Sequence, residues 1–134
     1  MFRIADSFGI EKLYLTGTTV TPPKYKIRRA ARSTEQKIPF EYNESAKEAI
    51  KKLKKQGYLI IALEITDSSE NLRDFKIQNK QATCVIIGSE NKGIDQALLD
   101  LSDHCIHIPM YGENSSMNVT TACAIALYEL VRFY

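Results

Sequence analysis

The chain predicts an α/β fold with a largely parallel sheet flanked by helices. Three observations carry that prediction. Short apolar or β-branched runs at 12–16, 58–63, 82–87 and 105–108 alternate with stretches of helical period, the pattern of parallel strands joined by crossovers. Several of these strands run out into loops of Gly, Ser, Asn and Glu, after which a helix begins. Finally, 134 residues with 44% hydrophobic and 25% charged content fit one globular domain spanning 1–134.

Taken in order, Met1, Ile4, Ala5 and Phe8 follow the i, i+3, i+4, i+7 rule, and Gly9 is a good helix stop. The chain therefore opens inside a short helix that has no cap residue and no strand before it. Such a helix is either a frayed terminus pinned by Phe2 and Phe8 or one whose preceding strand is missing. The run 12–16 is a strand ending at Gly17. Thr21-Pro22-Pro23 blocks helix until Lys24. Lys24, Lys26, Arg28, Arg29 and Arg32 then form the densest basic patch. It reads equally as a solvated helix face or as a contact for nucleic-acid phosphates.

Residues 38–42 form an extended piece, since Pro39 disfavours helix. Ser45 and Glu48 make a capping box for a helix with Ala46, Ala49, Ile50 and Leu53 on one face. Its lysines face water, and Gly57 ends it. A buried strand at 58–63 leads into a loop from Glu64 to Ser69, a candidate wall of a ligand pocket. Residues 71–80 are polar, a loop with a helical turn. The strand 82–87 leads to Gly88, a short helix covers 94–101, and 105–108 is the last strand. From Asn118 onward the chain is apolar on most sides, as in a helix buried within a domain or a subunit interface.

Several classes are excluded. No apolar run reaches the roughly 18–20 residues of a membrane span, and Asp6 follows too soon for a signal peptide. Cys84, Cys105 and Cys123 are odd in number, far apart and set among apolar neighbours. They read as buried thiols of a reducing, cytoplasmic compartment. His104 and His107 fall on opposite faces of a strand, so no metal site is expected. The net charge of +2 neither requires nor excludes a nucleic-acid partner. Gly88 to Gly93 has the spacing of a Walker loop, but Ile94-Asp95 replaces Lys-Ser/Thr and Glu90 would repel a phosphate. A dinucleotide fingerprint, a Gly-x-Ser-x-Gly elbow and a Cys/His nucleophile pair are all absent.

Two stretches carry more. One is a strand followed by Gly88-x-Glu90-x-x-Gly93. The other is Ile108-Pro109-Met110, a Gly-containing loop, then Ser116-Met117-Asn118-Val119-Thr120 before the last helix. Ligands of open α/β sheets bind at the carboxyl ends of strands, so two such loops suggest one site built largely from backbone. In this order and spacing they resemble the second and third motifs of the SpoU-type (TrmH-like) RNA ribose methyltransferases of the SPOUT superfamily. Met117 and Thr120 stand where that family has Leu and Ser. Its first motif, Asn-x-Gly-x-x-x-Arg-x-Ala-Asp-x-Phe-Gly after a strand, is matched only from Phe2 to Gly9, with Arg3 as the Arg. The motif Asn and the first strand have no counterpart.

The resemblance implies a SPOUT-type sheet with a C-terminal trefoil knot, a homodimer, and S-adenosylmethionine as cofactor. It implies a cofactor pocket of Leu63, Gly88, Ile108, Ser116 and Met117, held largely through main chain, with Gly88 and Gly112 keeping the loops small. The reaction implied is methyl transfer to a ribose 2′-hydroxyl of tRNA or rRNA. Arg3 would stabilise the developing charge, while Glu90, Ser116 and Asn118 would orient substrate and loops. The basic patch would contact RNA. Plainer roles stand beside these: core packing for Ile108 and Met117, helix capping for Ser116 and Asn118, surface charge for Glu90. The alternative function is a catalytically impaired, dimeric relic that binds cofactor or RNA.

Overall fold

In the computed structural model, residues 1–23, 25–113 and 116–134 are described, without the side chains of Lys26 and Arg28. They form two compact units, Met1–Ala49 and Ile50–Tyr134.

The first unit contains α1 (Phe2–Ser7), β1 (Leu13–Thr16), α2 (Tyr25–Ala31), a 3-10 turn at Thr34–Gln36 and β2 (Phe40–Asn43). β1 and β2 pair in parallel, with Leu13 opposite Phe40 and Thr16 opposite Asn43. Phe2, Leu15 and Ala31 form the small core, flanked by Leu13, Ile27 and Ile38. The Phe2 ring meets the Phe40 ring edge-on at 5.9 Å, a favourable aromatic geometry. These contacts anchor α1, which is too short to hold itself. Lys12 and Glu41 pair at 2.7 Å beside the ladder.

The units divide within α3 (Ala46–Lys55). Ser45 Oγ accepts the amide of Glu48 at 3.3 Å, a bond of the expected capping box. Ala49, Ile50 and Leu53 are buried, while Lys47, Lys51, Lys52 and Lys55 are exposed.

The second unit holds β3 (Leu59–Leu63), β4 (Glu70–Asn71), β5 (Thr83–Ile87), α4 (Gln96–Leu99), β6 (His104–His107) and α5 (Val119–Val131). Its sheet has the order β4-β6-β3-β5, and every ladder is parallel. Ile61 and Ile106 on adjacent strands pack with Ala126 and Leu130 of α5 and with Leu72, Phe75 and Ile77. Ile60 and Ala62, fully buried, point to the opposite face by strand alternation. Asp103 closes the amino end of the sheet. Its amide donates to the Ile60 carbonyl at 2.8 Å, and its carboxylate accepts the Ile60 amide at 2.8 Å and the Lys54 ammonium at 2.7 Å.

Four points differ from the sequence reading. The parallel strands form two sheets rather than one; alternation predicts strand direction, but not which strands become neighbours. The polar stretch after residue 69 begins with β4, whose Glu and Asn are poor strand formers recruited by pairing with Ile106 and His107. It also supplies Leu72, Phe75 and Ile77 to the core. The short helix predicted over 94–101 is reduced to the four residues of α4. Lastly, α5 buries Cys123, Ala126, Leu127 and Leu130 but leaves Ile125 and Tyr128 exposed. Within the described residues no helix is long and apolar enough to cross a membrane.

Candidate functional site

At the carboxyl ends of β3, β5 and β6, beside the start of α5, lies a cavity of about 560 Å³. This volume is within the range of small-molecule sites. Parallel pairing brings Leu63, Ile87 and His107 to the same end of the sheet, and the loops beyond them form the walls.

The loop after β5 folds back on itself. Ser89 and Gly93 exchange two backbone hydrogen bonds, at 3.0 and 3.2 Å, and Ser89 Oγ accepts the Lys92 amide at 3.2 Å. The loop closes so tightly that a Cβ on Gly88 would run into the backbone of Gly93. Gly93 has φ +64°, and a Cβ there would lie 2.5 Å from Glu64 Oε2. Gly88 is thus required by the loop's own closure, and Gly93 is favoured by its left-handed backbone and by the Glu64 side chain beside it. A Cβ on Gly112 would meet nothing within 4 Å among the described residues.

Glu64, the first residue beyond β3, fastens this loop. Its Oε2 accepts the amide of Ile94 and its Oε1 the amide of Ile65, each at 3.0 Å. Glu90 makes a second link: its Oε1 accepts the Asn118 side-chain amide at 3.1 Å. Asn118 Oδ1 in turn accepts the Thr120 amide at 2.9 Å and the Thr120 hydroxyl. Asn118 is therefore the N-cap of α5, and its remaining donor ties that helix to the loop carrying Glu90.

The residues singled out from sequence distribute as follows. Leu63, Gly88, Glu90, Ile108, Ser116, Met117 and Asn118 all line the cavity. The cap of α5 is Asn118, not Ser116. Arg3 belongs to the first unit, on α1, where it is exposed and its carbonyl accepts the Ser7 hydroxyl at 2.8 Å. Arg29 on α2 and Arg32 just after it are exposed. Lys24 and the side chains of Lys26 and Arg28 lie outside the described residues. Sequence reasoning placed the loop that begins at Glu64 as a candidate wall, and Glu64 and Ile65 do line the cavity. It missed the clasp that Glu64 forms and the place of His107 in the wall, for which the one available signal was a position at the carboxyl end of a predicted strand.

The cavity wall carries two carboxylates, Glu64 and Glu90, and no Lys or Arg among its described residues. Among the described residues, no three His, Cys, Asp or Glu side chains come together to hold a metal. The three cysteines are free; Cys123 is buried, Cys84 and Cys105 only half-buried. Burial pushes the Cys84 thiol up to about 11 and raises the other two.

The fold and cavity define an α/β protein with a ligand site at the carboxyl ends of parallel strands, one wall built by the entry to its last helix. The chain matches the SpoU rRNA Methylase family over residues 1–128 and belongs to that family. It is 31% identical over 135 residues to the tRNA (guanosine(18)-2′-O)-methyltransferase of Escherichia coli K12, a match covering 98% of this chain and 56% of that protein. To the 23S rRNA (guanosine(2553)-2′-O)-methyltransferase of Bacillus subtilis it is 28% identical, covering 97% and 51%. The crystal structure of the TrmH/SpoU tRNA modifying enzyme of A. aeolicus superposes with a TM-score of 0.86 at 26% identity, covering 98% of this chain and 66% of that one. The SpoU methyltransferase AviRb of Streptomyces viridochromogenes, in complex with the cofactor AdoMet, gives the same score and identity, covering 98% and 53%. The chain spans about half the length of the curated relatives it matches.

Proposed function

We propose that residues 1–134 form a single SPOUT-type catalytic domain that methylates a ribose 2′-hydroxyl of tRNA or rRNA, with S-adenosylmethionine as cofactor. The observation that carries this reading is the chemistry of the cavity wall. Carboxylates without a facing cation disfavour a phosphate and favour a positive ligand, while the apolar side chains and open strand ends suit a neutral aromatic plate. A cofactor joining adenine to a sulfonium fits both. Leu63, Gly88, Ile108, Ser116 and Met117 are proposed to hold it. When bound, it supplies an electrophilic methyl group.

The chain's own residues must then orient the acceptor and stabilise the charge that develops as the hydroxyl loses its proton. Glu90, Ser116 and Asn118 are assigned the orienting role, supported by the hydrogen bond from Asn118 to Glu90. Arg3, the counterpart of the family's motif Arg, is assigned to the developing charge on the 2′-oxygen. Lys24, Lys26, Arg28, Arg29 and Arg32 are assigned to RNA phosphates. A homodimer, a C-terminal trefoil knot and a cytoplasmic setting belong to the same reading and rest on family membership. The named relatives are methyltransferases, which supports an active enzyme over the impaired relic.

The test is transfer of label from S-adenosylmethionine to unmodified tRNA and rRNA pools. Recovery of a labelled 2′-O-methyl nucleoside is expected, as is a melting temperature raised by the product S-adenosylhomocysteine. An Arg3→Ala variant with unaltered transfer would remove the role given to Arg3.

A further inference from the structure

We infer that His107 is a positioned hydrogen-bond acceptor in the cavity wall, presenting an unprotonated Nε2 to a donor group of the cofactor. The inference rests on the cofactor reading above, but its first premise is a property of the chain alone.

His107 ends β6 and lines the cavity. Its Nδ1 lies 3.0 Å from Ser69 Oγ. Ser69 closes a turn on Thr66, whose carbonyl also accepts the Ser69 amide at 3.2 Å. Its hydroxyl donates to the Thr66 carbonyl at 2.8 Å, and its oxygen accepts the Thr66 amide at 3.0 Å. A hydroxyl has one hydrogen. The Thr66 carbonyl can only accept, whereas an imidazole nitrogen can donate or accept. All three contacts of the Ser69 hydroxyl are satisfied together only if His107 Nδ1 carries the proton and donates it to Ser69. In the neutral ring, Nε2 is then bare. Among the described residues Nε2 has no hydrogen-bond partner, and it is not sealed from its surroundings, since the one buried, unpartnered side-chain atom is Glu35 Oε2.

The turn from Thr66 to Ser69 therefore works as a tautomer lock. A partner on one ring nitrogen sets the chemistry of the other, as in outer-shell control of ligating histidines. The wall also carries the carboxylates of Glu64, bonded to two amides, and of Glu90, bonded through one oxygen to Asn118, and the hydroxyls of Ser89 and Ser116. A neutral acceptor beside them can receive a cofactor hydroxyl or amine without adding charge.

The lock can be read without turnover. In 15N-labelled protein at about pH 8, where an ordinary imidazole is neutral, two-bond proton–nitrogen correlations report the tautomer of each histidine. A His104→Gln variant assigns the two rings. The expected result is a proton on His107 Nδ1 and an Nε2 resonance that moves on saturation with S-adenosylhomocysteine. Ser69→Ala should release the ring to the Nε2–H form and weaken S-adenosylhomocysteine about tenfold, the worth of one neutral hydrogen bond. His107→Gln, which keeps an acceptor, should bind more tightly than His107→Ala. An Nε2–H tautomer in the unaltered protein, or an Nε2 resonance unmoved by a ligand that calorimetry shows to be bound, overturns the inference and leaves the cofactor reading intact. Absence of any S-adenosylhomocysteine binding removes the cofactor reading and the acceptor role with it, whatever the tautomer.

Discussion

Asn118 donates its side-chain amide to Glu90 across 3.1 Å while its carbonyl oxygen caps α5. One side chain thus joins the second family motif to the third and fixes the start of the last helix against the cavity wall. The two functions separate by substitution. Asn118→Ser keeps a capping oxygen and loses the link to Glu90; Asn118→Ala loses both. Asn118→Ala should lower the unfolding free energy by about 1–2 kcal/mol, and Asn118→Ser by less. Both should weaken S-adenosylhomocysteine if the link shapes the cavity. Urea unfolding and calorimetry measure the two effects. Equal stability losses would show that the bond to Glu90, and not the cap, dominates.

Gly93 and Glu64 are coupled in a way that a double-mutant cycle can resolve. Gly93→Ala places a Cβ 2.5 Å from Glu64 Oε2 at φ +64°. The left-handed conformation alone costs a non-glycine residue about 1–2 kcal/mol, and the clash adds to it. Glu64→Ala strips the Ile94 amide of its acceptor, about 1–3 kcal/mol for a partly buried group. In the double variant the clash is gone, so the losses should sum to less than the two singles together. Strict additivity in denaturant titrations would mean that the carboxylate swings away at little cost.

The same pair shows what the sequence could and could not convey. The loop from Gly88 to Gly93 and the stretch from Ser116 to Thr120 were legible because glycine spacing, an N-cap and flanking strands are local signals. Leu63, Gly88, Ile108 and Met117 meet at one cavity because parallel strands deliver their ends to the same side. The clasp of Glu64 on Ile94 spans 30 residues, and no local pattern announces it. Likewise, β4 exists through its pairing with β6 rather than through its composition. His107 could be weighed for metal binding from sequence, but its tautomer depends on Ser69, fixed by a turn 38 residues away.

Cys84 offers a chemical reporter of the packing of β5. Burial pushes its thiol up to about 11, and only the thiolate reacts. At about pH 8 its thiolate fraction is on the order of a hundredfold below that of a free cysteine with a pKa of about 8.5. Iodoacetamide should therefore label Cys84 that much more slowly in the folded protein than in urea, with a folded-state rate that rises steadily above about pH 9. Mass spectrometry of the labelled peptide reads both. Labelling of the folded protein at the free-cysteine rate would place Cys84 in water.

Asp103 is expected to contribute to the acid sensitivity of the second unit. Burial raises its carboxyl, but the Lys54 ammonium and the Ile60 amide outweigh that, leaving it below the ordinary aspartate value of 3.8. A folded-state value below the unfolded one means that the unfolded chain binds more protons between them. The stabilisation is thus complete above the unfolded value, and it is lost as pH falls from about 4 through the folded value. Side-chain exposures of 32% for Asp103 and 37% for Lys54 keep the ion pair itself modest. The carboxylate also accepts the Ile60 amide at 2.8 Å, near the amino end of an inner strand of the sheet. Asp103→Asn should cost about 1–2 kcal/mol near neutral pH and flatten the acid limb of a stability–pH curve. Lys54→Met should cost less at neutral pH and shift the same limb upward, since the carboxylate loses its cation. If Asp103→Asn lowers stability equally from about pH 3 to pH 7, the carboxylate charge contributes nothing, and the closure of the sheet rests on hydrogen-bond shape alone.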